Sequence, residues 1–155
     1  MATKALLTSE DLERILAATG KRFELVRGEL YEVMPPNPRH GRIAILIAFL
    51  LETWNRLTNA GWVMTESGFT LQRQPDTVRG PDVSFVSNER RRGLAMDKGF
   101  PGVAPDLAIE IRSPDDCWSE LQEKARDYIA AGSALVWLVE PDRLVEVWQL
   151  SLIHI

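Results

Sequence analysis

Cysteine is nearly absent: Cys117 is the only one in 155 residues, so no disulfide can form within the chain. This excludes a secreted disulfide scaffold and leads us to expect a reducing, cytoplasmic setting. Long apolar runs are missing as well. The longest, Ile43–Leu51, lies between Arg42 and Glu52 and falls far short of the about 20 residues a bilayer span needs. The start of the chain turns polar at Thr8-Ser9-Glu10-Asp11 without the apolar core of a secretory signal. An excess of positive charge is also lacking. With 18 Lys plus Arg against 22 Asp plus Glu, the net charge is −4, which excludes coating nucleic acid by bulk charge and leaves only a local basic patch. There is no repeat, no low-complexity stretch, no phosphate-cradling glycine loop, no zinc spacing and no nucleophile elbow.

What is present is ordinary for a soluble globular domain: 45% apolar and 26% charged residues. The length fits one domain over residues 1–155. Thr8 and Asp11 stand at capping-box spacing before Leu12, Ile15 and Leu16, which predicts a helix ended by Gly20. Arg22–Val26 and Glu29–Met34 read as a hairpin around Arg27-Gly28. Pro35-Pro36-Asn37-Pro38 breaks the chain. Ile43, Leu46, Ile47, Leu50, Trp54 and Leu57 recur at helical spacing, predicting a long helix from about Arg39 to Ala60 with a stop at Gly61. Its first half is apolar nearly all round, which predicts burial on more than one side and a homodimer.

Trp62–Glu66 and Phe69–Arg73 read as strands around Ser67-Gly68, followed by a strand at Pro81–Ser87, an irregular stretch at Asn88–Pro105, and a strand at Asp106–Arg112. Cys117–Ala131 reads as a helix, and Ala134–Glu140 with Leu144–Leu150 as a final hairpin. The order implies an α/β (α+β) fold: a mixed central sheet flanked by helices, with a parallel crossover from Asp106–Arg112 to Ala134–Glu140.

Alternation along the Asp106 strand sends Leu107, Ile109 and Ile111 to one face, and Asp106, Ala108, Glu110 and Arg112 to the other. Charged groups on a strand placed mid-sheet are costly unless paired or bound to a metal. An internal Glu110–Arg112 pair or a wet edge would also explain the pattern. Asp82, at a strand start after Pro81, supplies a second carboxylate. Two carboxylates facing one point suit Mg²⁺ or Mn²⁺. Lys124 sits at the edge of the stripe formed by Leu121, Ala125, Tyr128 and Ile129. It can reach toward the sheet or pair with Glu120 in solvent. Two acids and a lysine are what metal-assisted phosphodiester hydrolysis requires.

Pro81-Asp82, the run Pro105-Asp106-Leu107-Ala108-Ile109-Glu110-Ile111-Arg112-Ser113-Pro114, Lys124-Ala125-Arg126-Asp127-Tyr128, Gly132 and Trp137-Leu138-Val139-Glu140-Pro141 together resemble the Uma-two family, a bacterial group of restriction-endonuclease-like proteins in the PD-(D/E)XK nuclease superfamily. Phe23–Leu30 and Pro35-Pro36…His40 resemble its N-terminal pattern, so the resemblance runs from about Arg22 to Trp148. It implies a restriction-endonuclease-like core, DNA as substrate, and Asp82 and Glu110 as metal ligands. The superfamily's lysine usually lies two residues after the acid. Here that position is Arg112, which stays protonated and cannot be a base, and the resemblance moves the role to Lys124. Similar chains continue past the last hairpin into a Leu-Pro-Gly-like ending. Ser151–Ile155 departs from it, which points to a truncated or non-native tail and leaves His154 without a role.

Supporting candidates are His40, Glu24, Arg112 and Asp106. A histidine opening a helix more often makes a local hydrogen bond, and a hairpin glutamate such as Glu24 is more often solvated. Arg90, Arg91 and Arg92 are candidate phosphate contacts, although a short basic run is usually just solvated. Two other functions fit the same pattern: a nuclease-fold module that binds or assembles without catalysis, and a phosphodiesterase acting on RNA or a small nucleotide.

Overall fold

The computed structural model describes residues 5–141 and 143–150; the expectation for Ser151–Ile155 lies outside the described residues. Helix α1 (Ser9–Thr19) begins with the predicted capping box. Thr8 Oγ1 accepts from the Asp11 amide, and the Asp11 carboxylate accepts from the Thr8 amide at 2.9 Å. Gly20, left-handed at φ 66°, ends it. Strands β1 (Phe23–Val26) and β2 (Glu29–Glu32) form a hairpin whose central residues Arg27 and Gly28 both have positive φ, matching the right-handed twist of the strands they join.

Helix α2 (Pro38–Thr58) is capped by the Asn37 side chain, which accepts from the His40 amide. It ends at left-handed Asn59, two residues before the Gly61 stop read from the sequence. Gly61 instead opens strand β3 (Gly61–Thr65), where any Cβ would collide with the Val86 carbonyl of the neighbouring strand. The remaining elements are β4 (Phe69–Gln72), β5 (Thr77–Arg79), β6 (Val83–Ser87), β7 (Leu107–Ile111), α3 (Trp118–Ala130), β8 (Leu135–Glu140) and β9 (Leu144–Gln149).

The sequence suggests one sheet, with β3 and β4 as consecutive strands. The structure makes two sheets and places β3 and β4 in different ones. Between them Glu66 takes φ 52°, and β4 joins an antiparallel sheet of order β2-β1-β5-β4. Strand β5, to which the sequence reading assigns no element, has only three residues, too few to show alternation. The larger sheet has the order β3-β6-β7-β8-β9. All its pairings are antiparallel except β7–β8, the predicted parallel crossover through α3.

Strand β7 is central, and all five of its residues are buried. Leu107, Ile109 and Ile111 meet Ile43, Ala44, Ile47, Ala48 and Leu51 of α2 on one face. On the other face Ala108, with Val136 and Leu138 of β8, meets Leu121, Ala125 and Tyr128 of α3. Fully burying each large aliphatic chain contributes about 1.5–3 kcal/mol, so both helices are fixed firmly against the sheet. Leu12 of α1 packs on Leu25 and Val78 of the small sheet.

Candidate active site

Strand register brings the acids together. Val83 pairs with Ile109, so one step further along the antiparallel register sets Asp82 beside Glu110, where β6 begins. Asp82 Oδ2 accepts from the Ile111 amide at 2.6 Å and lies 3.1 Å from His40 Nε2. Its Oδ1 accepts no hydrogen bond among the described residues. His40, in the first turn of α2, is buried, and its Nδ1 has no hydrogen-bond partner among the described residues. The hydrogen bond to Asp82 raises its pKa above the ordinary imidazole range, against the opposing effect of burial.

Glu110 is buried on the α3 face. Tyr128 donates its hydroxyl to Oε1 at 2.8 Å, and Lys124 Nζ donates to Oε2 at 3.1 Å. The two donors stand four residues apart on α3 and so share one face of the helix. Lys124 therefore turns inward, away from the solvent pair with Glu120, whose carboxylate instead accepts from the Cys117 amide. Burial pushes the Glu110 carboxyl up to about 7; the charges of Asp82 and Glu24 add to this, and Lys124 and Tyr128 oppose it. Lys124 stays an ammonium: burial favours its neutral form, but Glu110 and Glu24 outweigh burial and raise its pKa.

Glu24 is not the solvated hairpin residue its context suggests. Leu25 pairs with Val78, and the next step of that register faces Glu24 to Arg79 on the side of the small sheet turned toward α3. Glu24 is buried and accepts from Arg79 at 3.0 Å, from the Gly80 amide at 3.1 Å and from Lys124 at 3.3 Å. Burial alone would raise its pKa, but these donors hold it below the usual carboxylate range. Arg79 in turn donates to Asp127 at 2.8 Å. Charges thus alternate from Asp127 through Arg79, Glu24 and Lys124 to Glu110, linking the two sheets through α3.

The other candidates lie elsewhere. Asp106 is at the opposite end of β7, accepting from the Ser87 amide and pairing with Arg90 at 3.0 Å. Arg112 pairs with Glu140 at 2.7 Å and donates to the Asp116 carbonyl, so the internal Glu110–Arg112 pair is not formed. Arg90 also donates to the carbonyls of Ala104 and Gly132. Arg91 binds Asn88 and lies 4.6 Å from the Trp62 ring centroid. Arg92 is exposed. Sequence reasoning missed Tyr128, Arg79 and Asp127. Tyr128 read as apolar stripe, and Arg79 belongs to the strand too short to recognise.

No group of three or more His, Cys, Asp or Glu gathers as a cation cage among the described residues. The available donor set is two carboxylates, Asp82 and Glu110. That fits Mg²⁺, which dehydrates reluctantly and commonly takes one or two protein carboxylates with several waters. Among the described residues, Glu110, Glu24 and Asp127 pair with Lys124 and Arg79, and Asp82 stands beside His40.

The structure thus sets Asp82 and Glu110 side by side, at the start of β6 and on β7 of a mixed sheet, with Lys124 reaching Glu110 from the crossover helix. The chain belongs to the Uma2 family, described as putative restriction endonucleases, whose model matches residues 9–152. Its fold is similar to the crystal structure of a putative nuclease belonging to DUF820 from Anabaena variabilis, with a TM-score of 0.70 and 20% identity over 92% of this chain and 84% of that one. No curated protein matches the chain. Among the described residues, no helix is long and apolar enough to cross a membrane.

Proposed function

We propose that the protein is a Mg²⁺-dependent (or Mn²⁺-dependent) endonuclease that hydrolyses DNA phosphodiester bonds in the cytoplasm. The observation that carries this reading is the placement of Glu110: a buried carboxyl set beside Asp82 by the strand register and held by Lys124 at 3.1 Å. Two carboxylates set side by side by the strand register, Asp82 and Glu110, are the number of protein ligands such an ion commonly takes. Asp82 and Glu110 would hold the ion, and a bound Mg²⁺ would polarise the phosphoryl oxygen and make hydroxide available near neutral pH. Lys124, kept protonated, is not a base. It orients the attacking water and offsets the charge that builds on the phosphoryl oxygens. Glu24 and Arg79 hold Lys124 in place, and His40 holds Asp82.

Two further parts of the reading concern partners. DNA is met by local contacts, of which Arg92 is the exposed candidate in its loop. The protein is a homodimer through the outer face of α2. Phe49, Leu50 and Leu57 are 66%, 67% and 85% exposed, and an open groove of about 500 Å³ runs between α2 and β3, lined by residues including Ile45, Leu46, Phe49 and Val63. Apolar surface contiguous on this scale marks an interaction site.

A plasmid-nicking assay with Mg²⁺, Mn²⁺ or EDTA tests the activity. Cleavage with either ion, abolished by EDTA and by Asp82→Asn, is the expected result. Folded protein that binds neither ion and cuts nothing would overturn it in favour of a non-catalytic module. Cleavage of RNA or a nucleotide diester with DNA left intact would overturn the substrate.

A further inference from the structure

We infer that Tyr128 is a positioning residue for the cation site, fixing the carboxylate of Glu110 through its hydroxyl. The inference rests on the proposed role of Glu110 as an ion ligand and adds a residue to which that role assigns nothing. Tyr128 is 0% exposed and Glu110 4%, and the hydroxyl stands 2.8 Å from Oε1. Lys124 occupies Oε2 from one helical turn earlier. Each carboxylate oxygen thus has one donor and keeps one lone pair, and the two donors fix the plane of the group against rotation about its terminal bond. Side chains that hydrogen-bond a metal ligand orient it, and their loss commonly lowers metal affinity 10–100-fold. A buried tyrosine hydroxyl usually finds a hydrogen-bond partner, and here that partner is the acid proposed to hold the ion.

The ring sits among Ala108, Leu121, Ala125, Val136 and Leu138, so Tyr128→Phe preserves the packing and deletes only the donor. Mn²⁺ and Mg²⁺ affinities are read by calorimetry on the full chain, with thermal unfolding of the ion-free protein alongside. The expected result is an affinity about 10–100-fold weaker in a variant that still folds. Equal affinities in wild type and variant would overturn the inference while leaving the endonuclease reading intact. A wild type that binds neither ion would overturn both.

A measurement on the unsubstituted protein guards against a variant that fails to fold. The sequence has two tyrosines, Tyr31 and Tyr128, so incorporation of meta-fluorotyrosine gives two fluorine resonances, assigned by Tyr31→Phe. Adding Mg²⁺ should shift the Tyr128 resonance and leave that of Tyr31, which is 51% exposed, in place. An unmoved Tyr128 signal at saturating ion would also overturn the inference.

Discussion

The two faces of the five-stranded sheet are built on different principles. Against α2 the sheet presents Val83, Leu107, Ile109, Ile111 and Val139, and the helix answers with Ile43, Ala44, Ile47, Ala48 and Leu51. The ionisable contact on that side is His40 at the start of α2, which meets Asp82 at the end of the sheet, and the helix carries more apolar residues on its outer side. Against α3 the same sheet buries Glu110, and the helix answers with Lys124 and Tyr128 as well as Leu121 and Ala125. The α2 face supplies stability by area. The α3 face gives up part of that gain to hold charges out of water, a cost accepted where chemistry needs a preorganised electrostatic environment. One strand, β7, serves both faces because successive side chains alternate.

The sharpest test of the contrast is substitution across the charged face. Glu110→Gln and Lys124→Ala should each lower the rate of DNA cleavage by roughly 10²-fold or more, measured by nicking under saturating Mg²⁺, with the circular dichroism of the fold retained. Ile109→Val, on the opposite face of the same strand, should cost about 1 kcal/mol of stability and leave the rate unchanged. Comparable rates for all three variants would erase the distinction.

A second test concerns the connection between the sheets, read as stability rather than rate. Arg79 is buried between Glu24 and Asp127. Removing one partner from such a pair leaves buried charge uncompensated, so Arg79→Ala should destabilise by roughly 3–5 kcal/mol, read by urea unfolding. A loss no larger than that of an exposed pair would mean the charge chain is wetter than its geometry indicates.

The outer side of α2 should respond in assembly rather than in fold. Phe49→Asp should weaken dimer formation by about 2 kcal/mol or more if Phe49 is an interface anchor, seen as a monomer by light scattering at concentrations where the wild type is dimeric. A wild type that is monomeric throughout would end the dimer proposal.

The effect of pH is smaller, and its sign follows from the raised groups. Folded Glu110 binds its proton more tightly than the unfolded chain does, so its contribution to stability is full below 4.5 and is lost as pH rises through about 7. The raised pKa of His40 acts in the same sense, its contribution present below 6.5 and lost above its folded value. The unfolding midpoint of the ion-free protein should therefore fall as pH rises from about 4.5 to about 7, and Mg²⁺ should restore it at the upper end by competing with the Glu110 proton. A midpoint that rises over that range would contradict the burial of Glu110. The smallest effect expected is at Arg92, where Ala should weaken DNA binding slightly and lower its salt dependence by about one counterion, with no change in folding.

Much of this arrangement was legible in the residues. The capping box of α1, the hairpin at Arg27-Gly28, the period of α2 and the acid-bearing alternation of β7 are local patterns, fixed by steric and hydrogen-bonding rules that act within a few residues. The inward lean of Lys124 was one of two readings that its place beside the stripe of α3 allowed, and the family resemblance favoured it. Local patterns cannot tell which strands share a sheet, and the separation of β3 from β4 rests on long-range pairing. Nor could they reveal that β5 exists, that Glu24 is buried, or that Arg79 and Asp127 continue a chain of charges to Lys124. The burial of an acid depends on what covers it, and Glu24 and Glu110 are covered by α3 and by a strand from another sheet. The sequence by itself determined which side chains were available and on which face of its own element each would lie. Only the tertiary structure decided which faces meet, because meeting requires register and packing between segments as much as 100 residues apart, as Glu24 and Lys124 are.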